Sequence, residues 1–277
     1  MIVRLINMDL REGLRSVARW YGAAVVLACA SGGAYVLTSV ASIQKVPWSL
    51  GNILAGNLAG MAPFLPSPTD PFRFPVSWAF LLLLLHFITL DYPYRDLMGF
   101  GEKVLASAGS RWAWWLSKCV WVVASVLLYW AVHLGVCALF ACIPGGGLSL
   151  DVSQDLYHMM HLDMNVRPDT GTFALFLVGV PCMTAALCLF QLFLSLVAGQ
   201  TLSYLASFSI LFLSAFYYAC PLLPGNYLMA MRSPGVVGQG FGFPPQWGLA
   251  LALGVAVFSI VTGGIAFVRM DILGKEG

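Results

Sequence analysis

TLDYPYRDLMGFGEKVLASAGSRWAWWLSK, residues 89–118, separates the apolar run FPVSWAFLLLLLHFI from the apolar run CVWVVASVLLYWAVHLGVCALFACI. It is the longest polar interruption that also carries a cluster of positive charge. On a helix turning ~100° per residue, Leu97, Phe100, Val104, Leu105 and Ala108 share one face, and Gly99, Glu102 and Lys103 share the other. That is the pattern of a short amphipathic helix at a membrane surface. Ser110 is placed to cap the next helix, Arg111 and Lys118 to meet headgroup phosphates, and Trp112, Trp114 and Trp115 to sit at the interface. The stretch reads either as a solvated loop holding two spans in register or as a docking surface for a partner.

The rest of the chain is a membrane sequence. Only 9% of its 277 residues are charged, against about 25% in a soluble domain. Six apolar stretches near twenty residues long predict an all-α membrane protein with six transmembrane helices, at about 21–43, 76–90, 119–142, 173–197, 202–220 and 249–268. These form one transmembrane domain, with residues 91–118 as the polar link between spans two and three. Residues 1–20 predict a separate amphipathic helix lying in the interface: Ile2, Val3, Ile6, Leu10, Leu14 and Val17 oppose Arg4, Arg11, Arg15 and Arg19. Membrane lipid is its simplest partner. Short re-entrant or surface helices are expected in WSLGNILAGNLAGMAPFL (48–65), in SLDVSQDLYHMMHLDMN (149–165) and in the Gly/Pro-rich but apolar segment 221–248. Ala198 to Thr201 make a tight turn between antiparallel spans four and five.

Charge gives the orientation. With the N-terminus inside, the inner segments hold Arg4, Arg11, Arg15, Arg19, Arg95, Lys103, Arg111, Lys118, Arg269 and Lys275, and the outer ones only Lys45, Arg73, Arg167 and Arg232. The excess places both termini and residues 91–118 in the cytoplasm. The net charge of +2 is too balanced to suggest a nucleic-acid partner.

Little chemistry is legible. No span carries Asp, Glu, Lys or Arg in its central part, so an ion-driven carrier lacks its usual midplane site. His86 and His133 read as hydrogen-bonded packing residues, and Gln191 and Ser195 as helix glue; His133, Gln191 and Ser195 are the candidates for a substrate pathway. No GxxxxGK[ST] loop, HExxH or GxSxG motif occurs, so neither ATP hydrolysis by that loop nor a common hydrolase site is expected in this chain. His158, Met160, His161 and Met164 are weak soft-metal candidates. The seven cysteines read as packing residues, with a Cys142–Cys220 disulfide open to them because both fall near one face.

The order of these features resembles the permease subunits of type-2 ATP-binding-cassette (ABC) exporters, Gram-positive members in particular. The most specific piece is DYPYRDLMGFGEKVLASAGSRWAWWLSK, residues 91–118, where an acidic-aromatic turn, a helix and an SRxxWW-like run lead into span three. The resemblance implies that Asp96–Ala108 is a cytoplasmic coupling helix seated on a separate ABC ATPase subunit that binds the ATP, with Asp96, Leu97, Phe100, Glu102, Lys103 and Val104 as docking residues. It also implies a second permease half, identical or paralogous, a bacterial cytoplasmic membrane, and export of an apolar or amphipathic peptide, lipid or drug. The competing expectation is a membrane sensor or assembly protein that holds a cytoplasmic partner without transporting anything.

Overall fold

In a computed structural model, the structure describes residues 2–41, 46–62, 64, 72–97, 110–143, 146–160, 167–216, 220–238 and 242–270. Five described helices are long and apolar enough to cross a membrane: α1 (Ile2–Ala41), α3 (Val76–Leu97), α4 (Arg111–Ala141), α6 (Thr170–Ala198) and α9 (Pro245–Arg269). A sixth apolar helix, α7 (Gln200–Phe216), has 17 residues, about 25 Å of rise. The residues that follow it, 217–219, lie outside the described ones.

The first departure from the expected layout is at the N-terminus. Residues 2–41 form one unbroken helix of 40 residues, about 60 Å long, with no break between an interfacial helix and span one. The reason is a continuous stripe of small or inward-facing residues, Leu5, Asp9, Gly13, Val17, Ala24, Ala28, Gly32, Tyr35 and Ser39, all buried. The stripe packs parallel to α4. A Cβ on Gly13 would stand 2.1 Å from Trp121 Nε1 and one on Gly32 2.7 Å from the Phe140 ring, while Tyr21 Oη donates to the Ser125 carbonyl at 3.0 Å. Arg4, Arg11, Arg15 and Arg19 are exposed as expected, but of the expected apolar face only Val17 is buried, and Ile2 and Val3 are exposed.

The second departure is at the end of α3, which passes through Pro93 to Leu97 where the sequence predicts a turn after residue 90. Proline removes one backbone donor and crowds the preceding turn. Here side chains of that final turn are anchored from outside: Tyr92 and Asp96 are both held by groups on α1 and α4. The loop between α6 and α7 is also tighter than the four-residue turn expected, since only Gly199, at φ +83°, separates the two helices. A side chain would be strained there.

At the end opposite the first residues of α1, three segments interlock. Strands β1 (Trp48–Ser49) and β2 (Gly146–Gly147) form a two-residue parallel pair. Helix α2 (Leu50–Asn57) follows β1, N-capped by Ser49, and its residues 50–55 are all buried. Asn52 stitches it to the next segment, donating to Ser153 Oγ at 3.0 Å and accepting from Ser153 N at 2.8 Å. In 149–165 the described helix is α5 (Asp155–Met160), which starts later than expected and is sunk into the protein: Leu156 and Tyr157 are fully buried. The segment 221–248 is broken as the sequence suggests, into two 3-10 turns at Pro224–Leu228 and Ala230–Arg232 and a short helix α8 (Pro234–Val237). Ala230 N donates to Leu58 O, tying this segment to the end of α2.

Arg232 is buried in that cap. It donates to the carbonyls of Met61 (3.1 Å), Ser214 (2.5 Å) and Ala215 (2.8 Å) and to Asn226 Oδ1 (2.5 Å). Two of these carbonyls lie in the last described turn of α7. Cys142 and Cys220 are free thiols, not a disulfide.

Candidate functional site

The run SRWAWWLSK starts α4 and builds the site. Ser110 caps the helix as expected, accepting from Ala113 N at 3.3 Å. Two of the three tryptophans pack inward against the protein. Trp115 is fully buried and donates to Ile260 O at 2.8 Å, Trp114 stacks on Phe267 with centroids 4.7 Å apart, and Trp112 covers Gly264 while remaining 40% exposed. Gly263 and Gly264 let the indoles lie against the α9 backbone, which hydropathy alone does not reveal. Arg111, exposed, reaches the end of α9 and donates to the carbonyls of Val268 (2.9 Å) and Met270 (2.6 Å).

Lys118 is the larger surprise. Expected at headgroup phosphates, it is 0% exposed, with Nζ 2.6 Å from Asp9 Oδ1 on α1 and 2.6 Å from Asp96 Oδ2 on α3. Its third side is covered by aromatic faces: Nζ lies 4.6 Å from the Tyr92 centroid and 4.9 Å from that of Trp114. An ammonium has three donors and no acceptor: it donates to Asp9, pairs electrostatically with Asp96, and meets π faces on its remaining side. Asp9 is satisfied in turn, by Tyr92 Oη at 2.9 Å and Ser117 Oγ at 2.5 Å.

Two carboxylates therefore share one ammonium, and the junction carries a formal charge of −1. Desolvating three charges is expensive, and such a group holds only while each member keeps its partners. The junction fixes the relative positions of the first helix, the end of α3 and the start of α4. Asp9 escapes a sequence reading because an acid on an amphipathic arginine-rich helix looks like a solvated charge. The available signal was its spacing, four residues from both Leu5 and Gly13 on the inward stripe.

Of the docking residues, Asp96 and Leu97 close α3, and only Asp96 has a described side chain; Phe100, Glu102, Lys103 and Val104 lie outside the described residues. The three pathway candidates do not converge. Gln191 joins α3, α6 and α7: its Oε1 accepts from His86 Nδ1 (2.5 Å) and Ser207 Oγ (2.9 Å), and its Nε2 donates to His86 O (3.0 Å). Because Oε1 can only accept, the His86 proton sits on Nδ1. Ser195 donates within its own helix to Leu192 O, and His133 faces Cys137, 3.6 Å from its thiol. Of the soft-metal candidates, Met160 is buried, the His158 side chain is not described, and His161 and Met164 lie outside the described residues. No group of three or more His, Cys, Asp or Glu side chains among the described residues could hold a metal.

No protein-family model matches this chain, and no curated protein matches it. The geometry stands alone.

Proposed function

We propose that this multi-pass membrane protein is the permease subunit of an ABC transporter, using residues 96–104 to dock a separate ATPase and exporting an apolar or amphipathic compound. The observation that carries the reading is the Asp9–Lys118–Asp96 junction. It lies directly beneath the end of α3, so a push on the residues that follow reaches α1 and α4 together. Rigid-body motion of helices is how such a push would alternate access to a pathway. The positive-inside bias puts this end in the cytoplasm, where an ATPase would be. A second permease half, identical or paralogous, completes the pathway in this reading.

The test is affinity purification from membranes that contain the native partners. Recovery of an ABC ATPase with nucleotide-dependent solute movement, both lost in Phe100→Asp/Val104→Asp, supports the reading. Recovery of the ATPase with no solute movement would favour the sensor or assembly protein, and no bound ATPase would sink the proposal.

A further inference from the structure

Away from the charge junction, a cleft of about 360 Å³ opens between α1, α2 and α3. It falls within the size range of small-molecule sites. One wall is the exposed small residues Ala30 and Ala34 of α1, beside Leu81 of α3; Asn57 and Ser77 stand at the edge toward the cap. No lining residue is charged.

Most of the polar groups in the cleft are already spent. Ser31 and Thr38 donate back to their own helix, at Ala28 O and Ala34 O, and Tyr35 Oη donates to Pro47 O. Asn57 is different. Its Nδ2 meets only the Cys137 thiol at 3.4 Å, a weak acceptor, and no described residue donates to its Oδ1. Ser77 is exposed beside it, its hydroxyl open to the cleft. A half-buried amide left this way favours a partner that supplies a donor.

We infer that the cleft binds a neutral amphipathic molecule, its hydroxyl or amide head on Asn57 and Ser77 and its apolar body along Ala30, Ala34 and Leu81. A charged ligand is disfavoured because nothing in the lining would compensate its desolvation. Binding does not need the ATPase; that the ligand is cargo rests on the transport reading.

The experiment uses the full chain in nanodiscs and 4-(hydroxymethyl)benzophenone, a neutral photoactivatable probe with one hydroxyl, followed by peptide mapping. Saturable labelling of residues 27–38 and 76–81 is expected, falling at least tenfold in Ala34→Phe, which fills the cleft from an exposed position, and severalfold in Asn57→Ala. Val25→Phe, at an exposed position on the face of α1 turned away from Ala30 and Ala34, is the control and should label as wild type. Competition separates the sources of the ligand: loss of label with added monoacylglycerol points to a single-chain lipid, and loss with a neutral peptide amide but not with lipid points to a soluble amphiphile. Non-saturating label spread over the lipid-facing residues and unchanged in Ala34→Phe would overturn the inference. Because no nucleotide or ATPase is present, that failure would leave the docking proposal standing, and loss of docking would leave the labelling intact.

Discussion

Replacing Lys118 with Met removes the only ammonium of the buried junction and leaves Asp9, 1% exposed, beside Asp96 with no compensating charge. Breaking a buried pair from one side costs about 3–5 kcal/mol, which for a protein of this size corresponds to a drop in Tm on the order of 10 °C. The stoichiometry makes a sharper claim than the size. Since two carboxylates share one ammonium, Asp9→Asn or Asp96→Asn leaves a one-to-one pair and should cost far less than Lys118→Met. In Asp9→Asn/Lys118→Met the remaining carboxylate is Asp96, whose side chain keeps 10% exposure, so the double variant should be more stable than Lys118→Met alone. The corresponding coupling energy should exceed about 1 kcal/mol. Thermal unfolding of wild type and the four variants in one detergent measures all of this. A Lys118→Met variant within about 1 kcal/mol of wild type, against the 3–5 kcal/mol expected, would refute the junction; so would an Asp9→Asn more damaging than Lys118→Met.

Three further outcomes are expected. Arg232→Lys should destabilise the cap nearly as much as Arg232→Met, because an ammonium cannot reproduce the fork that reaches Met61, Ser214, Ala215 and Asn226; faster proteolysis within residues 220–238 reads this out. Gly13→Val should force α1 off Trp121, costing about 1–3 kcal/mol as an overpacked contact does, and should lower the yield of a disulfide engineered between α1 and α4. Asp169 accepts from Thr172 Oγ1 and Gly171 N at the start of α6, and Asp151 from Ser149 and Thr170; these bonds hold both carboxyls below the usual carboxylate range. Their contribution is complete above the unfolded value of about 3.9 and is lost as pH falls through the lower folded values. Melting curves should therefore weaken with acid in that window, less so in Asp151→Asn/Asp169→Asn.

Hydropathy and helical period are local properties, and what depends on them was legible in the chain itself: the apolar helices, the Ser110 cap, a short helix after Trp48, the broken segment after residue 220 and the uneven spread of positive charge. A run of twenty apolar residues has few alternatives in a membrane, because every backbone polar group must be satisfied within the helix. Where a charge or an indole ends up is not local. Lys118 looked like a headgroup ligand and Trp114 and Trp115 like an interfacial belt, because each is judged from neighbours in sequence. Only packing set Asp9, Asp96 and Lys118 within ion-pair distance, put Gly263 and Gly264 under the tryptophans, carried α3 past Pro93 and let α1 run on without a break. Desolvating an ammonium is unfavourable unless two distant segments bring it carboxylates, and that condition is met in the folded bundle rather than in any stretch of the chain.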